Sequence, residues 1–244
     1  MPKTLDVYLR YDLVGRLVQD DHGDLTFSYA DGWLENAAAV PLSQSLPLGK
    51  EIFSRKQCRG FFAGVLPEQG IRENIARIFG ISAKLVERYD RKTALRALPP
   101  SDWPYTKRLH QEDFCQAPGI VPELKYQNEG GPSLKQCFDL LREASDVPVV
   151  DILALLKAVI SNFLIGNHDA HGKNFSLLYS GETVLGRVTR LAPFYDLVST
   201  VYYFELTKKM AMKIGGEYMS DHTWFSRTWR TASNNMPPVP QAGS

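Results

Sequence analysis

Between Val149 and Leu164, apolar side chains stand at 149, 150, 152, 153, 155, 156, 159, 160, 163 and 164. That spacing winds onto one wide stripe of a helix and predicts a central, buried one. After Ile165 the nine residues Gly166-Asn167-His168-Asp169-Ala170-His171-Gly172-Lys173-Asn174 are polar or small, and Phe175 to Tyr179 is hydrophobic again. A polar loop is thereby placed between a buried helix and a hydrophobic strand.

The rest of the chain supplies the setting for that loop. Leu5-Val7-Leu9 and Leu25-Phe27-Tyr29 alternate as half-buried strands do, with Gly15 and the turn-forming Asp20-Asp21-His22-Gly23-Asp24 between them, which predicts a small antiparallel sheet. Pro41 to Pro47 reads as a loop, and Gly70 to about Phe79 as a short helix stopped by Gly80. Leu85 to Asp90 reads as a strand entering a new region, followed by the breakers Pro99-Pro100 and Pro104. Ser133-Leu134-Lys135-Gln136 fits a capping box that opens a helix through Leu141. Phe175–Tyr179 and Thr183–Leu191 read as a strand pair around Ser180-Gly181-Glu182. His110 is expected on a helix surface or at a cap, and Lys208-Lys209 as a solvated pair.

The fold class expected is α+β: a compact module over residues 1–84, a hinge and mainly helical lobe over 85–236, and a polar, Pro-rich tail over 237–244. With 244 residues, 44% of them hydrophobic, the chain can bury a sizeable core. Lys157, Asn162 and Asn167 interrupt its longest apolar stretches, so no run is expected to reach the roughly 20 apolar residues of a membrane span. The N-terminus lacks the pattern of a secretion signal, and a cytoplasmic location is expected. Three cysteines, Cys58, Cys115 and Cys137, form no CxxC pair and are expected as free, mostly buried thiols. A formal net charge of +1 with both signs scattered carries no footprint for autonomous nucleic-acid binding.

The chemistry lies in the polar loop. Phosphoryl transfer requires a carboxylate to orient and deprotonate the attacking hydroxyl, a neutral oxygen ligand nearby, and a second carboxylate for the metal that bridges the nucleotide phosphates. Asp169 and Asn174 stand five positions apart, and after the strand pair Asp196 follows in Pro193-Phe194-Tyr195-Asp196-Leu197. Taken alone, Asp169 reads as a loop or cap residue; the order Asp169, Asn174, strand pair, Asp196 is what points to a kinase-like site.

At these residues the chain resembles the HipA family of bacterial toxin kinases. Asn162 to Ser176 is similar to that family's catalytic loop and Phe194 to Thr200 to its metal loop. Arg108 to Gln116, Met212 to Glu217, Leu66 to Arg72 and Ser45-Leu46-Pro47 are similar to its other recurring motifs. The resemblance implies a HipA-like kinase fold and makes Asp169 the catalytic base, with Asn174 and Asp196 as Mg2+ ligands. It places the backbone of Glu87, Arg88 and Tyr89 against the adenine of ATP, and His171 and Lys173 near the phosphates. It further implies a serine/threonine kinase acting on glutamate-tRNA ligase. Its partner would be a HipB-like helix-turn-helix antitoxin, with DNA reached only through that antitoxin and no membrane involved.

The chain also departs from the family. No GxGxxG or GxxxxGK string occurs, and Ile81-Ser82-Ala83-Lys84 passes almost directly into the hinge-like Leu85 to Arg91, where relatives hold most of the small lobe with its phosphate-gripping Lys. Two alternatives stand beside the kinase. One is an impaired kinase-like binding module that engages the antitoxin. The other is a metal-dependent phosphohydrolase built on His168, Asp169 and His171, which would need further His or carboxylate ligands.

Overall fold

The computed structural model describes residues 3–9, 11–65, 109–183, 186–203, 205–214 and 218. The expected helix from Gly70, the strand from Leu85, the hinge Glu87-Arg88-Tyr89, the Lys84–Leu85 junction and the 237–244 tail all lie outside the described residues.

The N-terminal module opens on an antiparallel sheet of β1 (Lys3–Leu9), β2 (Asp12–Gln19) and β3 (Leu25–Tyr29), in the order β1-β2-β3. The two outer strands match the alternating runs; where the sequence predicts only a separator around Gly15, the structure has a middle strand that pairs with both. Between β2 and β3 the Asp20 carboxylate accepts the amides of His22 (2.9 Å) and Asp24 (2.8 Å), and Gly23 takes a positive φ of 91°. One sheet face closes over fully buried Phe27, whose ring meets Tyr29 edge-on at 4.9 Å, Phe53 at 6.2 Å and Phe62 at 5.5 Å. Gly15 lies against this cluster: a Cβ there would come within 2.7 Å of the Phe27 ring and 2.3 Å of the Ser28 carbonyl. Tyr29 donates its hydroxyl to the Leu46 carbonyl and accepts the Leu42 amide (2.8 Å), which ties the loop before Pro47 to the sheet. Two helices, α1 (Asp31–Leu34) and α2 (Arg55–Gly64), complete the module.

The second region combines β4 (His110–Asp113), α3 (Leu134–Ala144), α4 (Pro148–Ile165), β5 (Ser176–Thr183) and β6 (Gly186–Leu191), with antiparallel sheet order β4-β5-β6. Its core gathers Leu141, Leu155 and Val159 from the helices against Phe114, Phe175, Leu177 and Tyr179. The capping box is present: the Gln136 amide donates to Ser133 Oγ (3.3 Å) and the Ser133 amide to Gln136 Oε1 (2.9 Å). All three cysteines are free and buried.

Four expectations need correction. His110 sits in β4, with its ring 4.8 Å from that of Tyr179, rather than on a helix. β5 runs on to Thr183, which pairs with Gly186, so Ser180-Gly181-Glu182 belong to the strand and not to a turn. The apolar stripe of α4 is buried on one side only: Leu155, Ala158 and Val159 are core, whereas Val149 is 81% and Leu164 51% exposed. That stripe is wider than the sheet and α3 cover. Finally, α4 is long and apolar enough to cross a membrane by length and composition, with mean hydropathy 1.9 over its 18 residues. Asp151 and Lys157 do not offset so many aliphatic neighbours.

The two regions meet through polar contacts. Glu112 in β4 is fully buried and accepts from Ser43 Oγ (2.7 Å), the Gln44 amide (3.2 Å) and the Tyr179 hydroxyl. Gln116 donates to the Phe61 carbonyl (3.1 Å), and Gly60 faces Gly119 so closely that a Cβ would lie 2.3 Å from its carbonyl oxygen.

Candidate active site

The loop that carries Asp169 begins where α4 ends. Gly166 adopts the left-handed conformation (φ 69°), the usual helix stop, and the Asn167 amide returns to the Asn162 carbonyl at 2.8 Å. From there the chain is fastened on both sides. The His168 amide donates to Thr200 Oγ1 (2.8 Å), that hydroxyl donates to the Gly166 carbonyl (3.0 Å), and the Ala211 amide donates to the His168 carbonyl (2.9 Å). Asn167 is 1% exposed and works as a brace. Its Oδ1 accepts the Asp169 amide (3.2 Å), while its Nδ2 donates to Asn162 Oδ1 (3.0 Å) and to the Asp196 carbonyl (3.0 Å).

Asn174 ends a short 3-10 turn, its Oδ1 accepting the His171 amide (2.9 Å) and its Nδ2 donating to Asp196 Oδ2 (2.5 Å). Asp196 has a φ of 58°, the only positive value of a non-glycine among the described residues. That strained conformation is held by the contacts from Asn167 and Asn174. The three residues singled out by spacing are thus drawn together: Asn174 touches Asp196 directly, and Asp169 is linked to both through Asn167.

The other sequence candidates separate. His171 is 4% exposed and caps the turn through its backbone, with its ring edge-on to Tyr126 at 5.3 Å. Lys173 reaches Asp113, Nζ to Oδ2 3.6 Å, with both side chains largely buried. Burial pushes the Asp113 carboxyl up from its ordinary value, against the amides of Gln116 and Cys115 and the Lys173 charge, which pull it down. Glu87, Arg88 and Tyr89 lie outside the described residues.

Sequence reasoning missed Tyr126, whose hydroxyl donates to Asp169 Oδ1 at 2.6 Å. Forty-three positions separate the two residues, so no local pattern signals the pair. It also missed Asn167 as a brace; a buried Asn beside a helix-stopping Gly was the available clue.

A Mg2+ ion keeps several waters and takes one or two carboxylates together with substrate phosphates. Asp196, exposed beside Asn174, fits that demand. No group of three His, Cys, Asp or Glu side chains that could cage a metal comes together among the described residues. The phosphohydrolase alternative therefore finds no ligand set there.

Comparison with known proteins decides the family. The profile of the HipA-like C-terminal domain matches residues 66–242, and that of the HipA N-terminal domain matches residues 5–91. The chain belongs to the HipA family. Y4mE of Sinorhizobium fredii, a kinase by name, is 30% identical over 345 aligned positions, covering 87% of this chain and 81% of Y4mE. Those positions outnumber the 244 residues of the chain, so Y4mE carries a long stretch with no counterpart here. The serine/threonine-protein kinase toxin HipA of Shewanella oneidensis is 28% identical over 79% of this chain and 43% of its own length. A chain in the solved complex of Shewanella oneidensis HipA, HipB and operator DNA matches with a TM-score of 0.69 at 18% identity, covering 88% of this chain and 81% of that one. At that identity the likeness shows a shared fold, mixed α and β as the sequence predicts.

Proposed function

We propose that this HipA-family chain is a serine/threonine protein kinase of a toxin–antitoxin module, transferring the γ-phosphate of ATP to a protein serine. The observation that carries the reading is the Asn174–Asp196 contact, braced through Asn167 to the loop that holds Asp169.

In this reading Asp169 receives the acceptor hydroxyl proton as the serine oxygen bonds to the γ-phosphorus and the bridging P–O bond to ADP breaks. Asp196 and Asn174 hold Mg2+, which when bound neutralises charge on the phosphates. Lys173, paired to Asp113, lies on the same loop and is the proposed cation for the phosphates, on family resemblance. His171 acts by shaping the turn. Glu87, Arg88 and Tyr89 are the proposed adenine hinge, on family resemblance alone. The proposed protein substrate is glutamate-tRNA ligase and the location cytoplasmic. The proposed partner is a HipB-like helix-turn-helix antitoxin, and the Shewanella oneidensis complex with HipB and operator DNA supports that choice. With a net charge of +1, the chain alone is expected to bind duplex DNA weakly and to gain operator specificity only with the antitoxin, as a mobility-shift assay near physiological salt would read.

Calorimetry of the full chain with ATP and Mg2+ tests the reading: Asp196→Ala should abolish Mg2+-dependent nucleotide binding, and unchanged Mg2+ dependence would count against the site. A second reading has its own support in the stretch of Y4mE that lacks a counterpart here. If that stretch holds the phosphate-gripping Lys, this chain engages the antitoxin while binding ATP two or more orders of magnitude less tightly, at about 1.5–3 kcal/mol for each lost charge-assisted hydrogen bond. Antitoxin binding without transfer of label from ATP would select it.

A further inference from the structure

Tyr126 lies in a turn built to hold it still. The Gly131 amide returns to the Tyr126 carbonyl (2.8 Å), Gly130 takes a φ of 110°, and a Cβ on Gly131 would meet the Leu124 carbonyl at 2.5 Å, so this glycine pair closes the turn without side chains. The backbone on either side of the tyrosine is fastened to the segments that flank Asp169. The Gly172 amide donates to the Lys125 carbonyl (3.4 Å), the Gln127 amide to the Ala211 carbonyl (3.1 Å), and the Lys213 amide to Gln127 Oε1 (2.7 Å). Its ring stands edge-on to buried His171. Backbone ties thus fix the base of the side chain, the His171 contact seats its ring, and the hydroxyl donates to Asp169 Oδ1 at 2.6 Å, a short bond of the charge-assisted class. Asp169 Oδ2 receives no hydrogen bond from any described residue.

A carboxylate on two rotatable bonds presents either oxygen in many directions, and misplacement of a reacting group by about 1 Å costs as much as 100-fold in rate. We propose that Tyr126 is a positioning residue: its hydroxyl engages Oδ1 so that Oδ2 alone faces the acceptor hydroxyl whose proton Asp169 takes. The proposal rests on the kinase reading of the site. It assigns a task to a residue that never touches ATP, Mg2+ or acceptor. The tyrosine keeps its proton throughout.

Two measurements on the full chain test it. In protein carrying 13Cζ-labelled tyrosine, the Tyr126 hydroxyl proton should exchange slowly with solvent, and the slow signal should vanish in both Tyr126→Phe and Asp169→Ala. In transfer of γ-phosphate from MgATP to water or to casein serines, Tyr126→Phe, which keeps the ring against His171, should lower kcat about tenfold, with KM for MgATP and melting temperature unchanged. In an Asp169→Asn background it should lower kcat no further. A fast-exchanging hydroxyl in the wild type overturns the proposal whether or not the chain is a kinase. Slow exchange with equal kcat in wild type and Tyr126→Phe overturns it while the kinase reading stands. Slow exchange in a wild type that transfers phosphate to neither acceptor defeats the kinase reading and this proposal with it. A fall in melting temperature that accounts for the lost rate reduces Tyr126 to a packing residue.

Discussion

The N-terminal module and the lobe that follows it solve burial in different ways. Among the described residues, the module's core is aromatic and aliphatic, and its one buried polar residue is Ser43, which faces across to Glu112. The lobe buries Glu112, Asp113, Asp151, Asn162, Asn167, His168, His171, Asn174, Ser176, Thr189 and Thr200 among others. Buried polar groups are costly unless partnered; Asn162, Asn167, Asn174 and Thr200 find partners around the Asp169 loop, whereas Glu112 and Asp151 are partnered in clusters of their own. Both regions pack an apolar core; the lobe adds the polar contacts that hold Asp169, Asn174 and Asp196 in place.

Packing failures should be large in the module. Phe27→Ala removes the ring on which Tyr29, Phe53 and Phe62 converge, and should destabilise the protein by about 3–5 kcal/mol in urea denaturation. A loss under about 1 kcal/mol would show that the module's core collapses to fill the hole. The lobe should break differently. Asp169→Asn is nearly isosteric yet a far poorer proton acceptor, so phosphate transfer should fall at least roughly 100-fold while nucleotide affinity and melting temperature stay near wild type. Near wild-type transfer would remove Asp169 from the mechanism.

The same contrast explains what the sequence disclosed. Alternation marked β1 and β3, the Ser133 box marked the start of α3, and the order Asp169, Asn174, Asp196 found residues the fold brings together, because each rests on local spacing. Tyr126 beside Asp169 and Ser43 beside Glu112 join residues far apart in the chain, and no short-range pattern encodes such pairs. The exposed half of the α4 stripe misled for another reason: periodicity reports which side chains share a face, not whether the neighbours are broad enough to cover it.

The polar network should also be sensitive to acid where the apolar core is not. Asp151 is 3% exposed. Burial pushes its carboxyl up, but Arg190, Ser145 and the Leu191 amide outweigh that and hold it below the ordinary carboxylate value. A depressed folded value means the stabilisation is present above the unfolded value and fades as pH falls through the ordinary carboxylate range toward the folded one. Arg190→Ala should cost about 2 kcal/mol near neutrality, in the range for a hydrogen bond to a charged group. The gap from wild type should narrow as pH falls, as paired melts across acid pH would read. A gap constant with pH would mean that Arg190 contributes by packing its stem rather than through Asp151.

The smallest effect expected is at the start of α3, on the exposed rim of the polar lobe. Ser133 Oγ accepts the Gln136 amide and donates to Gln136 Oε1 (2.8 Å), while the backbone amide of Ser133 is met by the same side chain. Ser133→Ala leaves a first-turn amide to water and should cost about 1 kcal/mol. Nearby, Asp139 pairs with Lys135 and Arg142 at 2.5 Å each, on exposed side chains. Solvent and salt screen such pairs, whereas a capping hydrogen bond is a short-range contact with no charge to screen. The cost of Ser133→Ala should thus be the same in melts at low and at high salt. If it fades with salt, the start of α3 depends on its charges and not on its cap.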